Sequence, residues 1–169
     1  AGARLLDGGD TIILVTLAGV EADLGDQSDD AISVRADHGT AGTGHVVLTA
    51  NSGALVTREN GWTYLEAGNV ASIEPAAGQL NSVVTISGAR LFGGGSSVKT
   101  LTIQGVEATI REQTDDVIVA VLDASTGNAG DVVTLLSESG ATINVAGLFT
   151  YVEEGIVSSV SPNVGQLGT

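Results

Sequence analysis

The chain carries nearly the same sequence twice. Gly19-Val20-Glu21-Ala22 returns unchanged as Gly105-Val106-Glu107-Ala108, and Ala3-Arg4-Leu5-Leu6 returns as Ala89-Arg90-Leu91-Phe92, both at a spacing of 86 positions. Ser28-Asp29-Asp30 recurs as Thr114-Asp115-Asp116. Gly44 with Val46-Val47 matches Gly130 with Val132-Val133 at the same spacing. The spacing becomes 87 for Tyr64 and Tyr151, Pro75 and Pro162, and Gly78-Gln79-Leu80 and Gly165-Gln166-Leu167, which places a one-residue insertion near Ser137. A period this long is a whole small domain rather than one turn of a solenoid. Function is then expected from repetition of a unit, not from one special site.

The segments between turn signals are short and β-branched. In the second repeat they run Ser82 to Ser87, Val98 to Ile103, Ala108 to Arg111, Val117 to Leu122, Val132 to Leu136, Thr142 to Val145 and Phe149 to Val152. The first repeat offers Ile12 to Leu17, Ala22 to Leu24, Ala31 to Ala36, Val46 to Ala50, Leu55 to Thr57 and Trp62 to Leu65. Alternation as in Val117-Ile118-Val119-Ala120-Val121 suits half-buried strands. No window of ten or more residues has helical periodicity. With 3% aromatic residues, the core must be built from Val, Ile, Leu and Ala. These signals predict antiparallel sandwiches. Gly19 and Gly105 are expected to supply positive φ in tight hairpins, as are Gly53 and Gly140. Pro75 and Pro162 are expected to end strands at a sheet edge.

A net charge of −14 with a single lysine, Lys99, argues against nucleic acid and against anionic membranes. The chain has no Cys, which excludes disulfides and thiol chemistry. No segment has the length of an apolar membrane span. The first residues lack the basic-then-apolar pattern of a secretory leader, and the chain is expected to be a window of something longer.

The run Val70-Ala71-Ser72-Ile73-Glu74-Pro75-Ala76-Ala77-Gly78 is followed by Val83-Val84-Thr85-Ile86-Ser87-Gly88-Ala89-Arg90-Leu91-Phe92, then Leu101-Thr102-Ile103-Gln104-Gly105, and closes with Phe149-Thr150-Tyr151. This order resembles the IPT/TIG family of immunoglobulin-like domains, with its opening I-x-P-x-x-G, its T-I-x-G-x-x-F strand, a glycine hairpin and a final F-x-Y. Leu6 stands where Phe92 stands, and Trp62-Thr63-Tyr64 repeats the closing motif. The resemblance implies an all-β chain of tandem early-set immunoglobulin-like sandwiches in a head-to-tail array. It also implies an extracellular, cell-surface or surface-appendage setting for most members. Some relatives bind DNA, which the charge here argues against. Others accompany starch-processing enzymes, where this chain could serve only as an accessory domain.

The alignment predicts that residues 1–67 form a domain lacking its first strands, 68–154 a complete one, and 155–169 the opening strand of a following one. Two periods need 173 positions against the 169 present, and the missing four correspond to Val83 to Ile86. A sheet missing a strand leaves unpaired backbone. Either a longer array supplies it, or the tail of one copy completes the head of the next. Ile156, Val157, Val160, Leu5 and Leu6 are the expected interface residues for this head-to-tail self-association.

Asp29, Asp30, Asp115 and Asp116 are candidate Ca²⁺ ligands, because hard cations want clustered carboxylates. The competing reading is a charged turn capped by Ser28 or Thr114. Glu153-Glu154 could bridge a cation at the domain junction. No other cofactor is expected. His38 and His45 do not recur, so no catalytic or metal-binding histidine pair is expected. Gly93-Gly94-Gly95-Ser96 lacks the following Lys-Ser/Thr of a phosphate loop. Trp62 reads as a core or interface aromatic, with a sugar-stacking platform as its alternative. No Asn-x-Ser/Thr acceptor occurs, while exposed Ser and Thr could carry O-linked glycans. The expected function is a structural or adhesive repeat forming a semi-rigid rod or filament, without catalysis. The runner-up is a receptor or adhesin ectodomain that binds a protein or carbohydrate. An accessory domain of a secreted carbohydrate-active enzyme comes third.

Overall fold

The computed structural model describes residues 4–6, 8–125 and 130–166. Ala3, Leu167 and Thr169, which enter the repeat alignment, lie outside them. The described residues form strands, turns and bends with no helix. The chain divides into two compact units, Ala1–Ala67 and Gly68–Thr169.

In unit 2 the opening strands are β7 (Asn69–Glu74), β8 (Ala77–Gly78) and β9 (Val83–Ala89). They are followed by β10 (Val98–Ile103), β11 (Val106–Gln113), β12 (Val117–Leu122), β13 (Val132–Ser137), β14 (Thr142–Ala146) and β15 (Thr150–Tyr151). Seven of these hydrogen-bond in the order β14-β13-β10-β11-β12-β9-β7, and β15 pairs in parallel with β8. Register shifts at Val98/Thr100, Ile110/Glu112 and Val70/Ser72 let the strands bend. The two ends of the sheet, β14 and β7, come into contact and the layers close as a sandwich. Inside lie Val84, Ile86, Leu101, Ile103, Ile118 and Leu122, none more than 1% exposed. The alternation in β12 (Ile118, Ala120 and Leu122 in, Val117 and Val119 out) is the predicted period of two.

Unit 1 contains β1 (Ile12–Leu17), β2 (Val20–Glu21), β3 (Asp23–Gln27), β4 (Ile32–Arg35), β5 (Gly42–Ala50) and β6 (Leu55–Tyr64). Its four-stranded sheet runs β2-β1-β5-β6, and β3 pairs with β4 separately. Among the described residues it has no strand corresponding to β7, β8 or β9. The consequence is visible position by position. Leu91, Leu135 and Phe149 are at most 3% exposed, whereas their counterparts Leu5, Leu48 and Trp62 are only half-buried. Ile118 and Ala120 are sealed, whereas Ile32 and Val34 are not.

The hairpins follow the expected turn chemistry. Leu17 pairs with Val20 and Ile103 with Val106, leaving two-residue loops Ala18-Gly19 and Gln104-Gly105 with φ of 49°, 85°, 53° and 78°. Positive φ at both central positions matches the right-handed twist of the flanking strands. Pro75 directly follows β7, which pairs only with β9 at the sheet edge. Residues 152–160 carry no strand, so Pro162 ends none here.

The pairing corrects the place of the insertion. Leu17 pairs with Val46 and Ile103 with Val133, while Ile12 pairs with Ala50 and Val98 with Ser137. The spacing is therefore already 87 at Val46, and the extra residue lies between β12 and β13 rather than near Ser137. Matching Val46-Val47 to Val132-Val133 slipped by one position. Such a slip exchanges the two faces of a strand, and here Val133 is 1% exposed and Val132 39%. The runs Leu55 to Thr57 and Trp62 to Leu65 also prove to be one strand, β6. Its counterpart in unit 2 is broken at Gly147 (φ 79°), whereas Asn60 takes positive φ (49°) beside a register shift and the ladder resumes at Trp62.

Trp62 is the chain's one tryptophan, so its fluorescence reports unit 1 alone. In chemical denaturation that signal is expected to change at lower denaturant than the circular dichroism transition of the better-sealed unit 2. Leu101→Ala should destabilise the second transition by about 2–5 kcal/mol and leave the first in place. Ile13→Ala, at a 58% exposed site, should shift neither by more than about 0.5 kcal/mol.

Candidate interaction surface

The recurring polar residues do structural work in both units. Gln113 Oε1 accepts from Val98 N (2.7 Å) and its Nε2 donates to Val98 O (3.3 Å). Gln27 holds Ile12 in the same way (2.6 and 3.4 Å). Each Gln thereby clamps the first residue of a strand beside a register shift, where the ladder leaves backbone groups unpaired. Thr114 Oγ1 accepts from Val117 N (3.0 Å), and Ser28 Oγ accepts from Ala31 N (3.1 Å), which is the expected cap of the charged turn.

The Asp pairs sit on those turns, all exposed. Asp115 Oδ1 accepts from Phe92 N (2.8 Å) and its backbone oxygen accepts from Leu91 N (2.8 Å). Asp29 accepts from Leu6 N (3.2 Å) and Leu5 N (2.9 Å) through the same two atoms. One carboxylate of each pair therefore pins the loop that carries Leu5-Leu6 or Leu91-Phe92. Among the described residues no group of three or more His, Cys, Asp and Glu side chains could hold a metal ion. His45 Nδ1 accepts from Asn60 N (3.2 Å) at the register shift between β5 and β6. The Gly93-Gly95 loop is tied down by Ser137 Oγ, which donates to Phe92 O, and by Ser139 Oγ, which donates to Gly93 O (2.9 Å). A depression of about 520 Å³ over β10 and β11 places Lys99 and Arg111 among Glu107, Glu112 and Asp123. No aromatic ring lines it.

The expected interface residues fall into two groups. Ile156, Val157 and Val160 are 89%, 81% and 66% exposed, with no strand partner. Leu5 and Leu6 are half-buried, and Leu6 packs on the unit 1 core. Sequence reasoning missed a different feature, the Trp62–Tyr64 end of β6. In unit 2, Thr150 N donates to Ala76 O (3.0 Å) and Val152 N to Gly78 O (2.8 Å), so β8 covers the edge of β15. Phe149 lies beneath, and Gln104 Nε2 donates to its backbone oxygen (2.9 Å). In unit 1 the equivalent Trp62–Tyr64 edge pairs with β5 alone. Trp62 and Tyr64 meet edge to face with centroids 5.8 Å apart, as Phe149 and Tyr151 do at 5.3 Å. Trp62 Nε1, Tyr64 Oη and Tyr151 Oη are buried without hydrogen-bond partners. The repeated F-x-Y motif was the available signal, because whatever covers Phe149 in one unit is needed at Trp62 in the other.

Residues 69–151 match the IPT/TIG domain family. The second unit is an IPT/TIG domain. Unit 1 repeats its strand plan from β10 onward. A comparison with curated proteins found no match. Among solved structures, the plexin A4 full extracellular region is similar at 19% identity and TM-score 0.52, covering 88% of this chain and 13% of that one. An auxiliary nutrient binding protein from Bacteroides ovatus aligns at 21% identity and TM-score 0.42, covering 52% of this chain and 21% of that one. SGBP-B from a complex xyloglucan utilization locus in Bacteroides uniformis aligns at 17% identity and TM-score 0.40, covering 83% and 42%. The chain thus spans well under half the length of each. At such identities the plexin likeness shows the fold alone. Among the described residues no helix is long and apolar enough to cross a membrane.

Burial raises the Tyr151 pKa above its ordinary 10.0, and the nearby Asp123 charge adds to the rise. A phenol that ionises later in the folded state than in the unfolded one contributes stability that is fully present below pH 10 and lost as pH climbs through the folded value. Unit 2 is therefore expected to weaken above pH 10, and less so in Tyr151→Phe, as read by denaturation at several pH values. Asp115→Ala should cost about 1 kcal/mol in calcium buffer and in chelator alike, because it frees the Phe92 N–H.

Proposed function

We propose that this chain is a structural and adhesive repeat of a long extracellular protein, working by serial repetition rather than catalysis. The observation that carries this is the duplication itself: the clamp and the loop-pinning carboxylate recur in both units at a spacing of 86, and the closing aromatic pair at 87. A single catalytic or ligand site would not require its scaffold twice. The junction Glu66-Ala67-Gly68 has no Pro-rich or Ser-rich linker, which favours semi-rigid head-to-tail stacking over free tethering. The strongly acidic surface suits a self-repelling exterior whose associations are confined to apolar ends. The polar residues most suggestive of chemistry, Asp29, Asp115 and His45, are engaged with backbone N–H groups, which supports a non-catalytic role.

A second reading, an ectodomain that binds carbohydrate or protein, is favoured by the half-buried Trp62–Tyr64 pair at the open end of unit 1. The two are separable. Surface proteolysis and membrane-impermeant labelling of intact cells that make the protein should reach it, and detection only after lysis would overturn the extracellular role. The isolated chain should show no saturable signal on an oligosaccharide array. A saturable signal abolished by Trp62→Ala would replace the structural reading with the ligand-binding one.

A further inference from the structure

The bulge between β5 and β6 brings together the parts of a chemical reaction. Val46 pairs with Arg58 and Gly44 with Trp62, so Glu59, Asn60 and Gly61 oppose His45 alone. The fold constrains two of these positions. Residue 60 takes φ of 49°, and its counterpart Gly147 takes 79°; a positive φ is open to Gly and, among other residues, most readily to Asn and Asp. At residue 61 a Cβ would stand 3.0 Å from Arg58 Cγ and 3.0 Å from Val46 Cγ2, which favours glycine. Unit 1 thus meets at its bulge, with Asn-Gly, the backbone demand that unit 2 meets with Gly147-Leu148.

We propose that Asn60-Gly61 is a site of covalent self-modification, at which the asparagine converts through a cyclic imide to aspartate and isoaspartate. The backbone nitrogen of Gly61 gives up its proton to solvent and attacks Cγ of Asn60. The N–Cγ bond forms, the Cγ–Nδ2 bond breaks, and Nδ2 takes up a proton and leaves as ammonia. Water then opens the five-membered imide at one of its two carbonyls. One opening restores the main chain with aspartate at position 60, and the other routes the chain through Cβ and Cγ as isoaspartate. Water is the only co-reactant, and nothing is oxidised or reduced.

The surroundings single out this asparagine. Asn60 is exposed, and its backbone N–H donates to His45 Nδ1 (3.2 Å), which holds the bulge while leaving the carboxamide unengaged. Asn51 Oδ1 accepts from Asp10 N (3.0 Å), and Asn144 Oδ1 from Thr134 Oγ1 (2.8 Å). Asn69, Asn144 and Asn163 precede valines, whose branched Cβ crowds the attacking nitrogen. Asn81 shares the positive φ (66°) but precedes Ser82. Either product places a new carboxylate beside Glu59. Isoaspartate also lengthens the backbone by a carbon just before the ladder resumes at Trp62, so the Gly44–Trp62 pairing should be lost.

The test is timed incubation of the full chain in mildly alkaline buffer, followed by peptide mapping and isoaspartyl methyltransferase labelling. Residue 60 should convert at least about tenfold faster than any other described asparagine, since it alone precedes a residue without a Cβ. Trp62 emission and the unit 1 denaturation midpoint should drift in step with the isoaspartate formed, and the unit 2 transition should stay in place. Asn60→Gly installs the residue of unit 2, which keeps the positive φ and removes the carboxamide. It should show neither labelling at position 60 nor drift. Isoaspartate mapping chiefly to Asn81 or Asn51, or conversion of residue 60 only when the chain is held unfolded in denaturant, would overturn the bulge as the reactive site. Equal drift of Trp62 emission in wild type and Asn60→Gly would overturn the link to the ladder.

Discussion

A two-layer β-sandwich holds only when each inner face is covered by the other, and in this chain that cover comes from β7 and β9. Val70, Ile73, Val84 and Ile86 are the residues these strands contribute to the unit 2 core. Burying four such side chains is worth on the order of 6–12 kcal/mol, an upper figure because unfolded chains already hide some apolar surface. That is comparable to the whole net stability of a typical domain, about 5–15 kcal/mol. The opening strands therefore decide whether a unit is sealed or merely assembled. Unit 2 is sealed, and unit 1 keeps the same strand plan with half-buried Ile32, Val34, Leu48 and Trp62.

What lets unit 1 keep that plan is a set of polar ties, all within the part the two units share. Gln27 to Ile12, Ser28 to Ala31 and Asp29 to Leu6 are each matched in unit 2 by Gln113, Thr114 and Asp115. Each satisfies backbone groups that a register shift or a turn would otherwise leave unpaired, which matters more than the modest net gain per bond. They hold register and not the core. The closing aromatic pair shows the difference: its T-shaped geometry survives in unit 1, yet the cover over it does not.

Most strands were legible because period-two alternation and glycine hairpins are local signals, and Ala18-Gly19 and Gln104-Gly105 form the turns their chemistry dictates. Two features were not. The insertion was misplaced because Val46-Val47 and Val132-Val133 are degenerate as letters, and only cross-strand pairing says which Val faces inward. The role of the Asp pairs was underread because their partners, Leu6 N and Phe92 N, lie 23 positions away, a separation at which pattern carries no information.

By itself the sequence determined the repeat, the all-β class, the tight turns and the family likeness of residues 69–151, because each is written in neighbouring residues or in self-similarity. Only the tertiary structure decided which positions of the shared pattern are sealed, and that Asn60-Gly61 stands in a bulge. Exposure of a strand edge is a property of what pairs beside it. Two copies of one pattern can therefore differ in burial when one has its neighbours and the other, among the described residues, does not.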